Sequence, residues 1–155
     1  MKLIEIGETG ELAEELDVDD FLREVVEASV AHYQRTGFMR PWIGYVGLEG
    51  EVTVGVCGFK GQPVGGRVEI AYGTAPGQEG KGVATELARE LVGIAREKDA
   101  SLAVVAQTLP NENASTRILT KLGFQRKRTV DHPEDGLVWE WELAADVPVP
   151  GSELA

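Results

Sequence analysis

Residues 75–85 read Ala75-Pro76-Gly77-Gln78-Glu79-Gly80-Lys81-Gly82-Val83-Ala84-Thr85, a glycine-rich turn that runs straight into a helical pattern. Glycine lets a backbone approach a ligand closely, and a helix start exposes N–H groups with partial positive charge. The chemistry such a turn offers is phosphate or pyrophosphate binding. Two familiar phosphate loops do not fit, because Thr85 replaces the third glycine of a dinucleotide fingerprint and Gly82 replaces the Ser or Thr of a Walker A loop. An unliganded structural turn has the same appearance, so both readings stay open on this segment alone. Other reactive side chains are few. Cys57, the only cysteine, lies in the apolar run 52–59 with no His or Asn near it in sequence, and reads as a buried, inert thiol. His32 and His132 carry the side chain that titrates closest to neutrality, but neither is assigned a catalytic role. No His/Cys cluster has metal-ligand spacing, so no metal is expected.

The turn has to be held between a strand and a helix, and the flanking patterns supply both. Residues 67–72 read as a strand, and Val83, Leu87, Leu91 and Ile94 recur at helical spacing through 80–98. Before them come a short strand at 2–6 and a helix from the N-cap candidates at 17–20 to Gly37, with Phe21, Leu22, Val25, Val26, Ser29 and Val30 on one side. A hairpin of 42–46 and 52–59 follows. After the long helix, 102–106 suits a buried strand, 113–122 a short helix closed by Gly123 as C-cap, and 124–130 and 137–143 two antiparallel strands. In the last of these Leu137, Trp139, Trp141 and Leu143 alternate with Val138, Glu140 and Glu142, which predicts one buried face and one largely wet face. If that strand is an edge with its tryptophans exposed, a homodimer would suit it. No linker or repeat divides the chain, so one domain is expected over 1–146, with a Pro-containing tail at 147–155 that is flexible or docked.

Composition narrows the function further. The chain has 155 residues and a formal charge of −11, which argues against general affinity for nucleic acid or anionic membrane and permits attraction of cationic amines. Acids crowd the first third, while Arg117, Lys121, Arg126, Lys127 and Arg128 gather near the far end; charge alone reads both as solvated faces. There is no long apolar run of membrane or signal type and no possible internal disulfide, so a cytoplasmic location is expected.

A second motif completes the picture: Thr108-Leu109-Pro110-Asn111-Glu112-Asn113-Ala114-Ser115-Thr116-Arg117-Ile118-Leu119-Thr120-Lys121-Leu122-Gly123-Phe124. With Gly80-Lys81-Gly82-Val83-Ala84-Thr85 in the right order and separation, it closely resembles the two hallmark motifs of the GNAT N-acetyltransferase superfamily. From about Trp42 to Trp141 the texture is most similar to the branch of RimJ/RimL-type ribosomal-protein N-terminal acetyltransferases. The resemblance implies an α/β fold: a mixed central sheet, helices on both faces, and two parallel strands at 67–74 and 101–107 that splay so that the pantetheine of acetyl-CoA lies between them. It implies backbone contacts to pantetheine from Tyr72, Gly73 and Thr74, a pyrophosphate cradle from the amides of Gly80, Lys81, Gly82, Val83, Ala84 and Thr85, and a hydrogen bond to the cofactor arm from Asn113. The chain departs from the pattern twice, with Glu79 where Arg or Gln is usual and Leu119 where many members place an acidic tyrosine. Gln78 can stand in for the first. For the second, the RimJ/RimL-like branch points to Ser115.

The implied reaction is direct acetyl transfer from acetyl-CoA to a primary amine of a peptide, protein or small molecule, with no acetyl-enzyme. A lysine-like amine is neutral at pH 7 only about once in a few thousand molecules, so a base is useful. The resemblance assigns that role to Glu69 on the central strand, or to a water chain ending at it; an ion-paired or solvent-facing sheet residue is the structural alternative. Ser115 would protonate the departing sulfur, and it is equally a helix-start residue that bonds nearby backbone. Tyr33, Phe38, Trp42 and Tyr45 fall where this architecture receives the acceptor, although aromatics there are more often core. A non-catalytic acyl-CoA sensor of the same fold, motivated by Leu119 and Glu79, and an enzyme with a longer acyl donor are the competing readings.

Overall fold

The computed structural model describes residues 1–150. Its elements are β1 (Lys2–Glu5), α1 (Asp20–Thr36), β2 (Gly44–Glu49), β3 (Val52–Phe59), β4 (Arg67–Thr74), α2 (Val83–Lys98), β5 (Ala103–Thr108), α3 (Ala114–Lys121), β6 (Gln125–His132) and β7 (Gly136–Leu143). The strands form one sheet in the order β1-β2-β3-β4-β5-β7-β6. All neighbours are antiparallel except β4 and β5, which run parallel because α2 carries the chain back across the sheet between them.

Local chemistry sets most boundaries. Asp19 caps α1 by accepting from the Leu22 amide at 2.9 Å, and Gly37, at φ 92°, ends it. β2 begins at Gly44, two residues later than expected, because a cis Arg40–Pro41 bond leads into a turn through Trp42 and Ile43. α2 begins at Val83 and not at Gly80: Gly80 and Gly82 both hold positive φ (78° and 77°), so these residues form the turn itself. Gly123 stands one place beyond the C-cap Leu122, also at positive φ, and the chain closes α3 with Phe124 N–H donating to Leu119 O at 2.9 Å.

Helices cover both faces. A Cβ placed on Gly44 would meet α1, at 3.4 Å from Tyr33 Oη, whereas one on Gly47 would meet α2, at 2.8 Å from Leu87 Cδ2. Successive strand residues point to opposite faces, so the two helices sandwich β2. The α2 side holds the main core, with Leu87, Leu91, Val104, Leu119, Leu122 and Leu143 fully buried. On the α1 side, Tyr33 Oη donates to Ile6 O (2.8 Å) and accepts from Gly44 N (2.9 Å), tying helix, β1 and β2 together.

The last strand differs from its sequence pattern. β7 lies between β5 and β6, so it is no edge, and the sheet ends in β1 and β6. Trp141 is buried with its Nε1–H donating to Thr108 Oγ1 at 3.0 Å, and Trp139 is covered by the Arg126 guanidinium 4.0 Å from its ring. The exposed tryptophan face that would have suited a dimer is therefore absent. Leu137 is 59% exposed while Val138 is buried, reversing the expected ends of the alternation. Glu140 and Glu142 are also mostly withdrawn from water, because both pair with Arg67 on β4, at 2.8 and 3.2 Å. Beyond β7, Val149 is buried and Val147 packs on the core; residues 151–155 of the predicted tail lie outside the described residues.

Candidate active site

The register of the parallel pair creates the site. β4 and β5 pair at Arg67–Ala103, Val68–Val104 and Glu69–Val105, and there the pairing stops, although β4 continues to Thr74 and β5 to Thr108. On its other side β4 remains paired with β3 from Ile70 to Thr74. The two central strands therefore part beyond Glu69, and β4 presents backbone N–H and C=O groups toward the gap.

Two cavities adjoin the stretch of β4 beyond this point. One, of about 420 Å³, is lined by Thr74, by Glu79, Gly80, Gly82, Val83, Ala84 and Thr85 of the turn and helix start, and by Ala114, Arg117, Ile118 and Lys121 of α3. Added Cβ atoms on Gly80 or Gly82 would meet nothing within 4 Å, so the turn is kept bare on its open side. A pyrophosphate fits this place: amides at the start of α2, no side chain in the way, and two cations facing it. Glu79 is held by its own loop, its Oε1 accepting from Gly77 N at 2.9 Å. Gln78, the expected stand-in, accepts from Lys81 Nζ at 3.2 Å. The positive charge that offsets Glu79 comes instead from Arg117 and Lys121. They are four apart on α3 and hence on one face, a spacing visible in the sequence but readable there only as a solvated charge cluster.

The other cavity, of about 630 Å³, lies on the α1 side. Its floor is Gly44, Val56, Gly58, Ala71 and Gly73, its near wall is Val25, Ala28, Ser29 and His32 of α1, and its far wall is His132 at the end of β6 with Glu134 and Asp135 of the turn that follows. Ala71 is exposed although it sits mid-strand in the middle of the sheet, because no helix covers the sheet there. Tyr72 and Gly73 line this cavity and Thr74 lines the other, so three consecutive residues of β4 pass from one to the next.

Tyr72 reaches across to α3, where its Oη lies 3.2 Å from Ser115 Oγ. Either hydroxyl can donate. Burial pushes the Tyr72 phenol above its usual range, opposed in part by the Ser115 hydrogen bond, so it stays protonated at neutral pH. Leu119 is fully buried in the core, so the tyrosine position common in the superfamily faces inward here, and the phenol arrives from β4 instead. Sequence spacing alone could not pair Tyr72 with Ser115, because they are 43 residues apart.

Other expected residues are placed as follows. Asn113 caps α3 in a reciprocal box with Thr116, both bonds at 2.9 Å, and its Nδ2 donates to Asn111 Oδ1 at 3.1 Å; it lines neither cavity. Glu69 stands at the last paired position of β4, ion-paired to Lys60 Nζ at 2.8 Å, and lines a separate 220 Å³ cavity with Lys60, Arg67, Val105 and Glu140. Trp42 and Tyr45 are core residues, the former stacked edge-on against Phe59, and Phe38 packs edge-on against Tyr33, which also backs the larger cavity. Burial raises the Cys57 thiol to about 12, consistent with an inert side chain. Both histidines line the 630 Å³ cavity, which sequence separation concealed. Among the described residues, no group of three or more His, Cys, Asp or Glu side chains is placed to hold a metal, and no helix is long and apolar enough to cross a membrane.

Known proteins share this architecture. The structure of the aminoglycoside acetyltransferase AAC(6')-Ib in complex with coenzyme A is 22% identical with a TM-score of 0.56, over 66% of this chain and 65% of that one. The ribosomal α-N-protein acetyltransferase RimL in complex with coenzyme A is 15% identical with a TM-score of 0.63, over 83% and 73% of the two chains. A GNAT-family acetyltransferase from Bacillus anthracis is 18% identical with a TM-score of 0.61, over 84% and 77%. Identities this low show a common fold. No curated protein sequence matches the chain. A family model described as the acetyltransferase (GNAT) domain matches residues 9–125, and the chain belongs to that family.

Proposed function

We propose that this chain is a cytoplasmic N-acetyltransferase that moves the acetyl group of acetyl-CoA directly to a primary amine of a peptide, protein or small molecule. The observation that carries the reading is the parting of β4 and β5 beyond Glu69–Val105, with a phosphate-type cavity at one end and an open acceptor-sized cavity at the other. Acetyl-CoA supplies the thioester carbon that the amine attacks. In this reading the backbone of Tyr72, Gly73 and Thr74 holds the pantetheine arm, the amides of residues 80–85 with Arg117 and Lys121 hold the phosphates, and Asn113 contributes if its Nδ2 leaves Asn111. Unpaired β4 N–H groups stabilise the oxyanion of the tetrahedral intermediate. Ser115, in concert with Tyr72, gives a proton to the departing sulfur. The amine's own proton leaves to Glu69 or to a water chain ending at it.

The branch and the acceptor draw support in two directions. Similarity to RimL favours the RimJ/RimL-like branch and a peptide N-terminus, and similarity to the aminoglycoside enzyme favours a small polycationic amine. Net charge of −11 suits either cation and neither nucleic acid nor membrane. The Tyr72–Ser115 pair at the gap favours a catalyst over an acyl-CoA sensor of the same fold.

The test is free-thiol release from acetyl-CoA against a panel of amines and N-terminal peptides, with CoA binding followed by calorimetry and propionyl-CoA as a second donor. Release with any acceptor establishes the reaction. Tight CoA binding without release across the panel supports the sensor, and absence of CoA binding removes the reading altogether.

A further inference from the structure

Glu69 is poorly placed to take a proton directly. Its carboxylate is engaged by Lys60 Nζ at 2.8 Å, and it lines the 220 Å³ cavity, not the 630 Å³ one that Tyr72 and Gly73 open into. Protonating it would forfeit the attraction of that ammonium. The histidine of α1 is differently situated. His32 lies seven residues after Val25 and three after Ser29, so it continues the helical stripe Val25-Ala28-Ser29 that walls the larger cavity. Its Nε2 is 3.0 Å from Lys60 O. A carbonyl oxygen only accepts, so Nε2 carries the hydrogen and, in the neutral ring, Nδ1 carries the lone pair. Nδ1 has no partner among the described residues.

The same Lys60 thus holds both groups. Its side chain binds Glu69, its backbone N–H donates to Glu69 O at 2.9 Å, and its carbonyl fixes the His32 ring. An imidazole in the wall of a cavity, oriented through one nitrogen by a hydrogen-bond acceptor and with the other nitrogen free, is the arrangement a general base requires. His132, in contrast, has its Nδ1 occupied by the amides of Glu134 and Asp135 at 3.1 and 3.2 Å.

Resting on the acetyltransferase reading above, we propose that His32 is the base that takes the proton from the acceptor amine, and that Glu69 is a positioning residue acting through Lys60. The ammonium loses one proton before the neutral amine attacks, and the new N–C bond sheds a second as the C–S bond breaks. One goes to His32 Nδ1 and on to water; the other replaces the proton that the Tyr72–Ser115 pair gives to sulfur. Charged and titratable groups that share the cavity with His32 are Tyr33 and Arg35 on its own helix, Lys60 after β3, His132 at the end of β6, and Glu134 and Asp135 in the turn that follows. Cys57 and Tyr72 also border the cavity from the sheet, their side chains turned to the α2 face and both held protonated by burial.

The experiment compares pH profiles of kcat/KM for wild type, His32→Gln and Glu69→Gln, using the best amine from the acceptor panel, with CoA affinity measured on each. The glutamine amide introduced by His32→Gln can keep a donor to Lys60 O but cannot accept a proton at neutral pH, so a purely structural role for His32 would leave the profile unmoved. The expected result is a loss of about 100-fold or more at pH 7 for His32→Gln. CoA affinity should be unchanged, and the acidic limb that reports imidazole ionisation should be replaced by a rate rising with amine deprotonation. Glu69→Gln should lower the rate less and keep the limb. Addition of imidazole should restore part of the activity of His32→Ala. A His32→Gln enzyme within threefold of wild type with its acidic limb intact overturns the assignment while leaving the acetyltransferase reading in place. A wild type that acetylates no amine removes both.

Discussion

Replacing Tyr72 with phenylalanine takes away one oxygen and keeps the ring. That oxygen lies 3.2 Å from Ser115 Oγ, and both residues are half-buried. As a structural hydrogen bond the pair contributes about 1 kcal/mol, because each hydroxyl exchanges a water partner for the other. In a domain of this size a loss of about 1 kcal/mol shifts the melting temperature by roughly 2–4 °C. As a proton donor to the leaving sulfur it contributes far more. General acid catalysis supplies about 100-fold to 10,000-fold. The lower end applies here because a thiol ionises near 8.5 and its anion leaves without much help. Tyr72→Phe should therefore lower kcat about 100-fold at pH 7 while hardly moving the melting temperature or CoA affinity. Ser115→Ala should do the same, and the double variant should lose little beyond either single one, because both remove one proton path. Thiol-release kinetics on the four proteins, with calorimetry for CoA, closes the cycle. A Tyr72→Phe enzyme within threefold of wild type, or a double variant whose loss is the full product of the singles, would refute the shared role.

Further outcomes follow from the same geometry. Arg117→Ala and Lys121→Ala should each weaken CoA binding about tenfold in calorimetry, roughly 1.4 kcal/mol for one exposed charge-assisted contact, with no change for a dephosphorylated pantetheine fragment. Gly55→Ala should destabilise the fold by about 1–3 kcal/mol in denaturant titration, because its Cβ would stand 2.7 Å from Gly73 O and 2.8 Å from Leu87 Cδ1, and a backbone carbonyl in a sheet cannot move aside; a wild-type midpoint would disprove the crowding. Stability should be level through neutral pH and fall above about pH 9. Cys57 is raised from 9 to about 12, and Tyr33 and Tyr72 are raised as well, all chiefly by burial. Each stays protonated in the fold and ionises first in the unfolded chain, so its contribution is intact below the unfolded value and lost as pH climbs toward the folded one. For Cys57 the slope approaches about 1.4 kcal/mol per pH unit between those limits, and Cys57→Ala should flatten that part of the curve.

The order and type of the elements were legible in the chain alone, since each is set by neighbours a few residues away. Asp19 and Asn113 cap helices with their own side chains, Gly82 and Gly123 adopt backbones other residues avoid, and the 3.6-residue stripe of α2 has one apolar side. The glycine turn was legible for the same reason: its glycines and the helix start that follows are one contiguous segment. Which distant groups share a cavity was left to the tertiary structure. The alternation in β7 predicted one wet face, yet β6 folds outside the strand and Glu140 and Glu142 on that face pair with Arg67. His32 and His132 looked incidental while they were 100 positions apart, Arg117 and Lys121 looked like a wet surface, and Glu69 could not be known to face Lys60. Tyr72 found Ser115 only because β4 leaves β5 after Glu69 and lets a side chain cross the gap. Local propensity acts along the chain, where spacing is fixed by covalent geometry; proton and charge placement act through space, and that distance exists only once the sheet has formed and parted.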